Sequence, residues 1–358
     1  HIHLNVDYPF NLTGILYFPK ISNDLNLQKD RIQLYQNQVF VTDNVEGIVP
    51  EFLGLLKGVI DSPDIPLNVS RSYLQSDASV KKITNYITRK VADKLNSIFK
   101  NERENLESKW NDIKVVIEYG MLTEDKFYDK AELFNLYPTV DDKYFTYEEL
   151  EKKIKKLQTD KDGNLIILYA QNKDEQYTFI ESAKEKGYEV LLLDSPIIPH
   201  LMQKLESKKE KIKFSRVDSD TLENLIKKDE EVISKLTDEE KEKLKPMIET
   251  AVENEKYTVQ LEALDSNSMP FMLAQPEFMR RMKEMQQTGG GAMGNLPDMY
   301  SLIVNTNHEL VGKILNTRTE KKRNSLIKQS IDLAKLSQNN LTGKDLTEFI
   351  NRSIDLIK

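Results

Sequence analysis

Two short apolar runs constrain this chain more than anything else in it. Leu165-Ile-Ile-Leu-Tyr-Ala170 has no charged side chain, Glu189-Val-Leu-Leu-Leu-Asp194 has them only at its ends, and a polar-faced stretch from Glu175 to Lys186 lies between, closed by Gly187. A strand covered on both faces reads as a continuous apolar run rather than an alternation, so this pattern demands a parallel crossover: strand, helix, strand. Lys161-Asp-Gly-Asn164 supplies the turn before the first strand, and Gly187 the left-handed residue that ends the helix.

Other regions follow different periods. From Leu4 to about Val45 the pattern is strand-like, with Thr13 to Phe18 and Gln38 to Thr42 rich in β-branched and aromatic residues. Between Ser79 and Phe99, Ile83, Ile87, Val91, Leu95 and Phe99 recur every four residues, which predicts an amphipathic helix capped by Asp77 or Ser79. Leu222 to Lys245 is dense in Lys, Asp and Glu and poor in large apolar residues, and a domain boundary is expected inside it. Beyond lie strands at Tyr257 to Leu264 and Tyr300 to Val304, a short apolar segment at Pro270 to Ala274, a Met-rich helix from Pro276 to Gln287, a Gly289 to Gly291 run and two or three closing helices. A chain of 358 residues also exceeds what one core usually supports. The expected fold class is α/β and α+β multidomain. A first domain of 1–229 comprises a large α/β part (about 1–115), a helical connector (about 116–160) and a small α/β part (about 161–220), and 230–358 form an α+β domain ending in helices.

Composition removes several function classes. Without cysteine there is no disulfide, thiolate metal site or Cys nucleophile, and the four histidines lack ligand-like spacing, so no metal site is expected. A net charge of −7 argues against a nucleic-acid binder, and no apolar run approaches a membrane span. The opening, HIHLNVDYPF, has neither an initiator Met nor a secretion-signal layout, so the chain is read as a fragment of a longer, cytoplasmic protein.

Chemistry concentrates after the apolar strand at Leu55 to Ile60. The following loop, Asp61-Ser-Pro-Asp-Ile-Pro-Leu-Asn-Val-Ser-Arg71, is stiffened by Pro63 and Pro66, while Asn68 and Ser70 have side chains suited to bracing the backbone around Arg71. A guanidinium held in this way either serves a phosphate, with its fixed fork of donors, or pairs with Asp61 or Asp64 at the surface.

Gly58 to Gln75 resembles the catalytic-loop signature of the bacterial ninety-kilodalton heat-shock chaperones of the HtpG type, and Val6 to Pro19 resembles the start of their middle domain. Gly187 to Asp194 and the Met-rich helix extend the resemblance over essentially the whole chain. It implies the middle and C-terminal domains of an ATP-driven chaperone, with ATP and Mg held mainly by an N-terminal ATPase domain that is absent, and no cofactor in the fragment itself. By the same implication Arg71 reaches the γ-phosphate, Gln75 supports the nucleotide-bound state and Asn68 shapes the loop. The resemblance departs at Ser72, where the family commonly carries Glu. No glycine-rich phosphate loop occurs in the chain, so the fragment alone is expected to be inactive toward ATP.

Two surfaces matter for partners. Phe278, Met282 and Met285 share one helical face opposite Arg280, Arg281 and Glu284, with Met279 beside them. Such a stripe is either ordinary core or an adaptable apolar contact, and the resemblance implies a client-facing element, with Trp110 as a second client contact. In the closing helices, Leu326, Ile327 and Ile331 form one apolar face, and Leu346, Phe349, Ile350, Ile354 and Ile357 form another after Thr342. A homodimeric four-helix bundle would bury both faces. The partners expected are therefore a second copy, non-native client proteins and the chain's own ATPase domain, without nucleic acid or membrane. Two alternatives compete: the transducer domain of a DNA-acting ATPase of the topoisomerase or mismatch-repair type, and a phosphohydrolase built on Asp61, Asp64 and Asp194.

Overall fold

Alternation in the first sixty residues places Ile2, Leu4, Leu12, Leu16, Ile32, Leu34 and Ile60 in the core, each almost fully buried. A computed structural model of the chain describes residues 1–19, 32–66, 77–229, 232–252, 257–289, 299–338 and 340–357, and the side chains of 287–289 and 356–357 fall outside that description. The chain divides into two units: His1–Tyr137 with Tyr144–Leu150 and His200–Lys204, and Pro138–Lys143 with Glu151–Pro199 and Leu205–Lys358.

In the first unit, β1 (Ile2–Val6), β2 (Leu12–Tyr17), β3 (Ile32–Gln36), β4 (Val39–Thr42) and β5 (Lys57–Asp61) form one sheet in the order β1-β2-β5-β3-β4. Only β3 and β5 run parallel. Backbones approach closely where β2 meets β5: a Cβ on Gly58, whose φ is +145°, would lie 2.0 Å from the Ile15 carbonyl oxygen. The expected amphipathic helix is α1 (Ala78–Asn101), begun by Asp77, whose carboxylate accepts the N–H groups of Ser79 and Val80 at 2.8 and 3.0 Å. Its stripe of Ile83, Ile87, Val91 and Leu95 is buried, whereas Phe99 is half-buried under the Arg103 guanidinium. Short helices follow: α2 (Arg103–Ser108), α3 (Trp110–Thr123) and α4 (Asp125–Ala131). Arg103 ties α2 to a later segment through Glu149 at 2.5 Å and the Tyr144 carbonyl at 3.0 Å.

After the two-residue strands β6 (Tyr137–Pro138) and β7 (Tyr144–Phe145) comes α5 (Tyr147–Gln158). The demanded crossover is then realised in the second unit: β8 (Leu165–Ala170), α6 (Tyr177–Glu185) and β9 (Val190–Leu192), with β8 and β9 parallel and all six residues of β8 buried. Gly187 ends the helix at φ +75°. A further helix, α7 (Ile198–Lys208), leads to β10 (Ile212–Arg216), which lies parallel to β8 on its other side. That third strand was not read from the sequence, since its apolar content is only Ile212 and Phe214.

Beyond α8 (Leu222–Leu225) and α9 (Asp238–Val252) comes a second three-stranded sheet of β11 (Tyr257–Glu262), β12 (Phe271–Ala274) and the central β13 (Tyr300–Asn305). Four helices accompany it: α10 (Glu277–Gly289), α11 (Glu309–Asn316), α12 (Glu320–Leu336) and α13 (Gly343–Ile357). Its core joins Leu244, Ile248, Phe271, Leu302, Val304 and Ile327, and Met272 packs against both this unit's smaller cores. The protein is an α/β and α+β multidomain chain, as expected.

Candidate functional site

Residues 67–76, and with them Asn68, Arg71, Ser72 and Gln75, lie outside the described residues. Their mooring is described on both sides. Ser62 is fully buried, its hydroxyl donating to the Asn11 carbonyl at 2.6 Å and its N–H to the Tyr35 carbonyl at 3.1 Å. Asp64 accepts the Asn11 N–H at 2.6 Å, and Asp61 accepts the Gln38 N–H at 2.7 Å. The two carboxylates weighed as partners for Arg71 thus fasten the loop's first half to neighbouring backbone. On the far side the chain enters the capped start of α1. A loop anchored in this way on a strand and a helix is a suitable mount for a positioned side chain.

The Met-rich helix α10 reverses the usual orientation of an amphipathic helix. Its charged face is the docked one, with Arg280 only 3% exposed. Arg280 donates to Glu277 and Glu284, each at 2.5 Å, and to the Tyr169 hydroxyl, which itself donates to Glu277 at 2.8 Å. Arg281 reaches Glu277 at 2.7 Å, Glu206 at 2.8 Å and the Phe214 carbonyl at 2.5 Å. Burial alone would raise the Glu277 carboxyl, but Arg280 and Arg281 outweigh it and hold the group below the usual carboxylate range. Burial also opposes charge on Arg280, and Glu277, Tyr169 and Glu284 more than offset this. Since charge is tolerated in the interior only when it is paired and hydrogen-bonded, this network fixes which face turns inward. Phe278 is left 70% exposed, with Met279, Met282 and Met285 half-buried.

The terminal helices divide their apolar residues differently. Ile327 and Ile331 belong to the protomer's own core, and Leu326 packs against it, so this face is not available to a partner. Phe349 is buried, and Leu346 is half-buried; the Ile357 side chain lies outside the described residues. Exposed instead are Ile350 (47%) and Ile354 (45%) on α13, with Leu333 and Leu336 on α12. The two helices are joined by Arg352, which pairs with the buried Asp332, and by a Gln329 to Ser353 hydrogen bond at 2.8 Å. Burial pushes the Asp332 carboxyl up even so.

Trp110, expected to contact clients, is fully buried at the start of α3. A large indole gains most from complete burial, and in this structure no client can reach it. Among the described residues no group of three or more histidine, aspartate or glutamate side chains could hold a metal ion. No described helix is long and apolar enough to cross a membrane.

The family model described as Hsp90 protein matches residues 1–352. This chain belongs to the Hsp90 family. It is 46% identical to the chaperone protein HtpG of Bacteroides thetaiotaomicron, the match covering 99% of this chain and 62% of that protein. It is 52% identical to the chaperone protein HtpG of Porphyromonas gingivalis over 94% of this chain and 50% of that protein, and 28% identical to that of Ruthia magnifica over 99% and 58%. The chain therefore spans half to about three fifths of the length of these curated relatives. Membership in the Hsp90 family does not favour the DNA-acting ATPase alternative.

Two features of this Hsp90 chain escaped the sequence reading. The ion network of α10 was visible only as Glu277, Arg280, Arg281 and Glu284 at helical spacing, which reads equally as a solvated face. Leu333 and Leu336 share a face of α12, but the stronger Ile327, Ile331 and Ala334 stripe masked them.

Proposed function

We propose that this chain is the middle and C-terminal part of a homodimeric, ATP-driven cytoplasmic chaperone that binds non-native proteins. The boundary between those parts is assigned near 229/230. The observation that carries the reading is α10: a helix whose charged face is buried in ion pairs keeps Phe278 exposed beside the half-buried Met279, Met282 and Met285, and flexible, polarisable side chains suit varied apolar clients. Arg71 supplies a guanidinium to the γ-phosphate of ATP, which with Mg is bound in a segment outside this chain, while Asn68 and Gln75 support the loop around it. This role draws on the family match and on the moored flanks of the loop. Leu333, Leu336, Ile350 and Ile354, together with Leu346, form the surface that a second copy covers. The test joins the chain to an HtpG-type ATP domain and compares turnover with and without Arg71→Ala. A loss of at least about a hundredfold is expected from removing a charge that stabilises the transition state, and unchanged turnover refutes the role.

A further inference from the structure

The parallel sheet of the second unit contains a reversal. From β8 the chain crosses through α6 to β9 on one side, then returns through α7 past β8 to β10 on the other. In open α/β sheets such a reversal leaves a crevice outside the carboxyl ends of the strands, where ligands commonly sit. Here that position holds a cavity of about 160 Å³, reached by Gln171 just after β8 and by Arg216 and Asp218 at the end of β10. This is roughly ten times the volume that admits a single water.

Its wall is preset. Gln176 is almost fully buried; its carboxamide oxygen accepts the Gln171 and Asn172 N–H groups at 2.7 and 3.1 Å, and its amino group donates to Asp218 at 3.0 Å. Arg216 is spent on Asp218 at 2.5 and 3.0 Å and on the Gln171 side chain at 3.0 Å. With Arg216 neutralised by Asp218 and with Glu175 at the rim, the cavity offers an anion no unpaired positive charge. Its other lining is largely carboxamide: the Gln171 oxygen accepts from Arg216, the Asn172 oxygen accepts the Asp174 and Glu175 N–H groups and the Gln338 amino group donates to the Leu273 carbonyl, which leaves the Asn172 amino group, the Gln338 oxygen, half-buried Gln275 and exposed Asn340, with the Tyr300 ring beside them. Among the described residues, the side chains of Gln275 and Asn340 make no hydrogen bond within the protein. A carboxamide presents a donor and an acceptor side by side, as a peptide group does, so the complementary ligand is neutral and made of amides.

We infer that this cavity binds polypeptide main chain, giving a sequence-independent hold on an extended segment. It rests on the proposed chaperone reading in one respect, namely that the natural occupant is a non-native client. The test titrates the 358-residue chain with a capped Gly-Ser-Gly-Ser-Gly peptide, which has no apolar side chain and no charge, and follows the side-chain amide NMR signals of Gln275 and Asn340. Saturable shifts are expected, with none from inorganic phosphate at equal concentration, and Gln275→Leu with Asn340→Leu weakens binding by roughly tenfold or more. Gln275→Glu, which keeps the shape and removes the donor, gives the same direction should the double variant fold poorly. Absence of saturation, an equal response to phosphate, or unaltered binding by the variants overturns the assignment. A Phe278→Ser, Met282→Ser variant separates the two readings. If it loses apolar clients while the wild type ignores the capped peptide, the cavity assignment fails and the chaperone reading stands; if the peptide binds while neither the wild type nor the variant binds apolar clients, the cavity assignment stands and the chaperone reading fails.

Discussion

Helix α10 and the α12–α13 hairpin start from the same kind of sequence, an apolar stripe opposite a charged one, and the structure uses them in opposite ways. In α12 the strongest stripe, Ile327, Ile331 and Ala334, goes into the protomer's core, as the hydrophobic effect alone would direct. In α10 the charged stripe goes inward, and of the apolar one Phe278 stays exposed and the methionines only half-buried. The difference lies in what each helix meets. Strands β12 and β13 offer α12 an apolar surface, whereas β8 and β10 offer α10 a tyrosine hydroxyl, a backbone N–H and a carbonyl. The titration behaviour follows: partners win over burial at Glu277, and burial wins over partners at Asp332. A helix's hydrophobic pattern thus names two candidate faces, and its neighbours choose between them.

The largest effect expected from breaking this contrast is at Arg280. Arg280→Ala removes the guanidinium that Glu277, Glu284 and the Tyr169 hydroxyl share, leaves Glu277 to Arg281 alone and should cost about 3–5 kcal/mol of docking, read as faster amide exchange throughout α10 with β11 to β13 still protected. If α10 exchanges no faster, the network does not hold it. Next comes the core stripe: Ile327→Ala should lower unfolding stability by about 2–5 kcal/mol in a denaturant titration. Leu333→Ala, on the same helix but exposed, should leave that stability nearly unchanged. Association should show the reverse ranking. Ile350→Ser with Ile354→Ser is expected to raise the dimer dissociation constant by about tenfold or more, roughly 1.4 kcal/mol, in sedimentation equilibrium, and a wild-type chain that is already monomeric would contradict the dimer surface.

The smallest effect is a pH dependence. Because the folded Glu277 carboxyl is held below its unfolded value, its stabilisation of α10 is fully present above the ordinary carboxylate pKa and is lost as pH falls through the depressed one. Exchange of α10 should accelerate on acidification in that window, and Glu277→Gln should flatten the profile. An unchanged profile in that variant would assign the pH response to another group.

Much of the fold was legible because it rests on local pattern. Leu165–Ala170 had to be a buried strand, Ile83 to Leu95 had to be a stripe, and Gly187 and either Asp77 or Ser79 had to punctuate helices, the structure choosing Asp77, since spacing, side-chain branching and backbone freedom are properties of the chain itself. The weakly patterned β10 and the pairing order β10-β8-β9 were not legible, because strand order is set by contacts between distant residues.

The same division holds for function. The sequence by itself determined the loop with Arg71, the methionine stripe and the family resemblance, all of which are contiguous runs of residues. Only the tertiary structure decided that Trp110 is core, that Ile327 and Ile331 serve their own protomer, and that α10 turns its arginines inward. Each of those outcomes depends on which surface a side chain meets: burial favours apolar atoms on average, but a buried charge paired with opposite charges can outbid them.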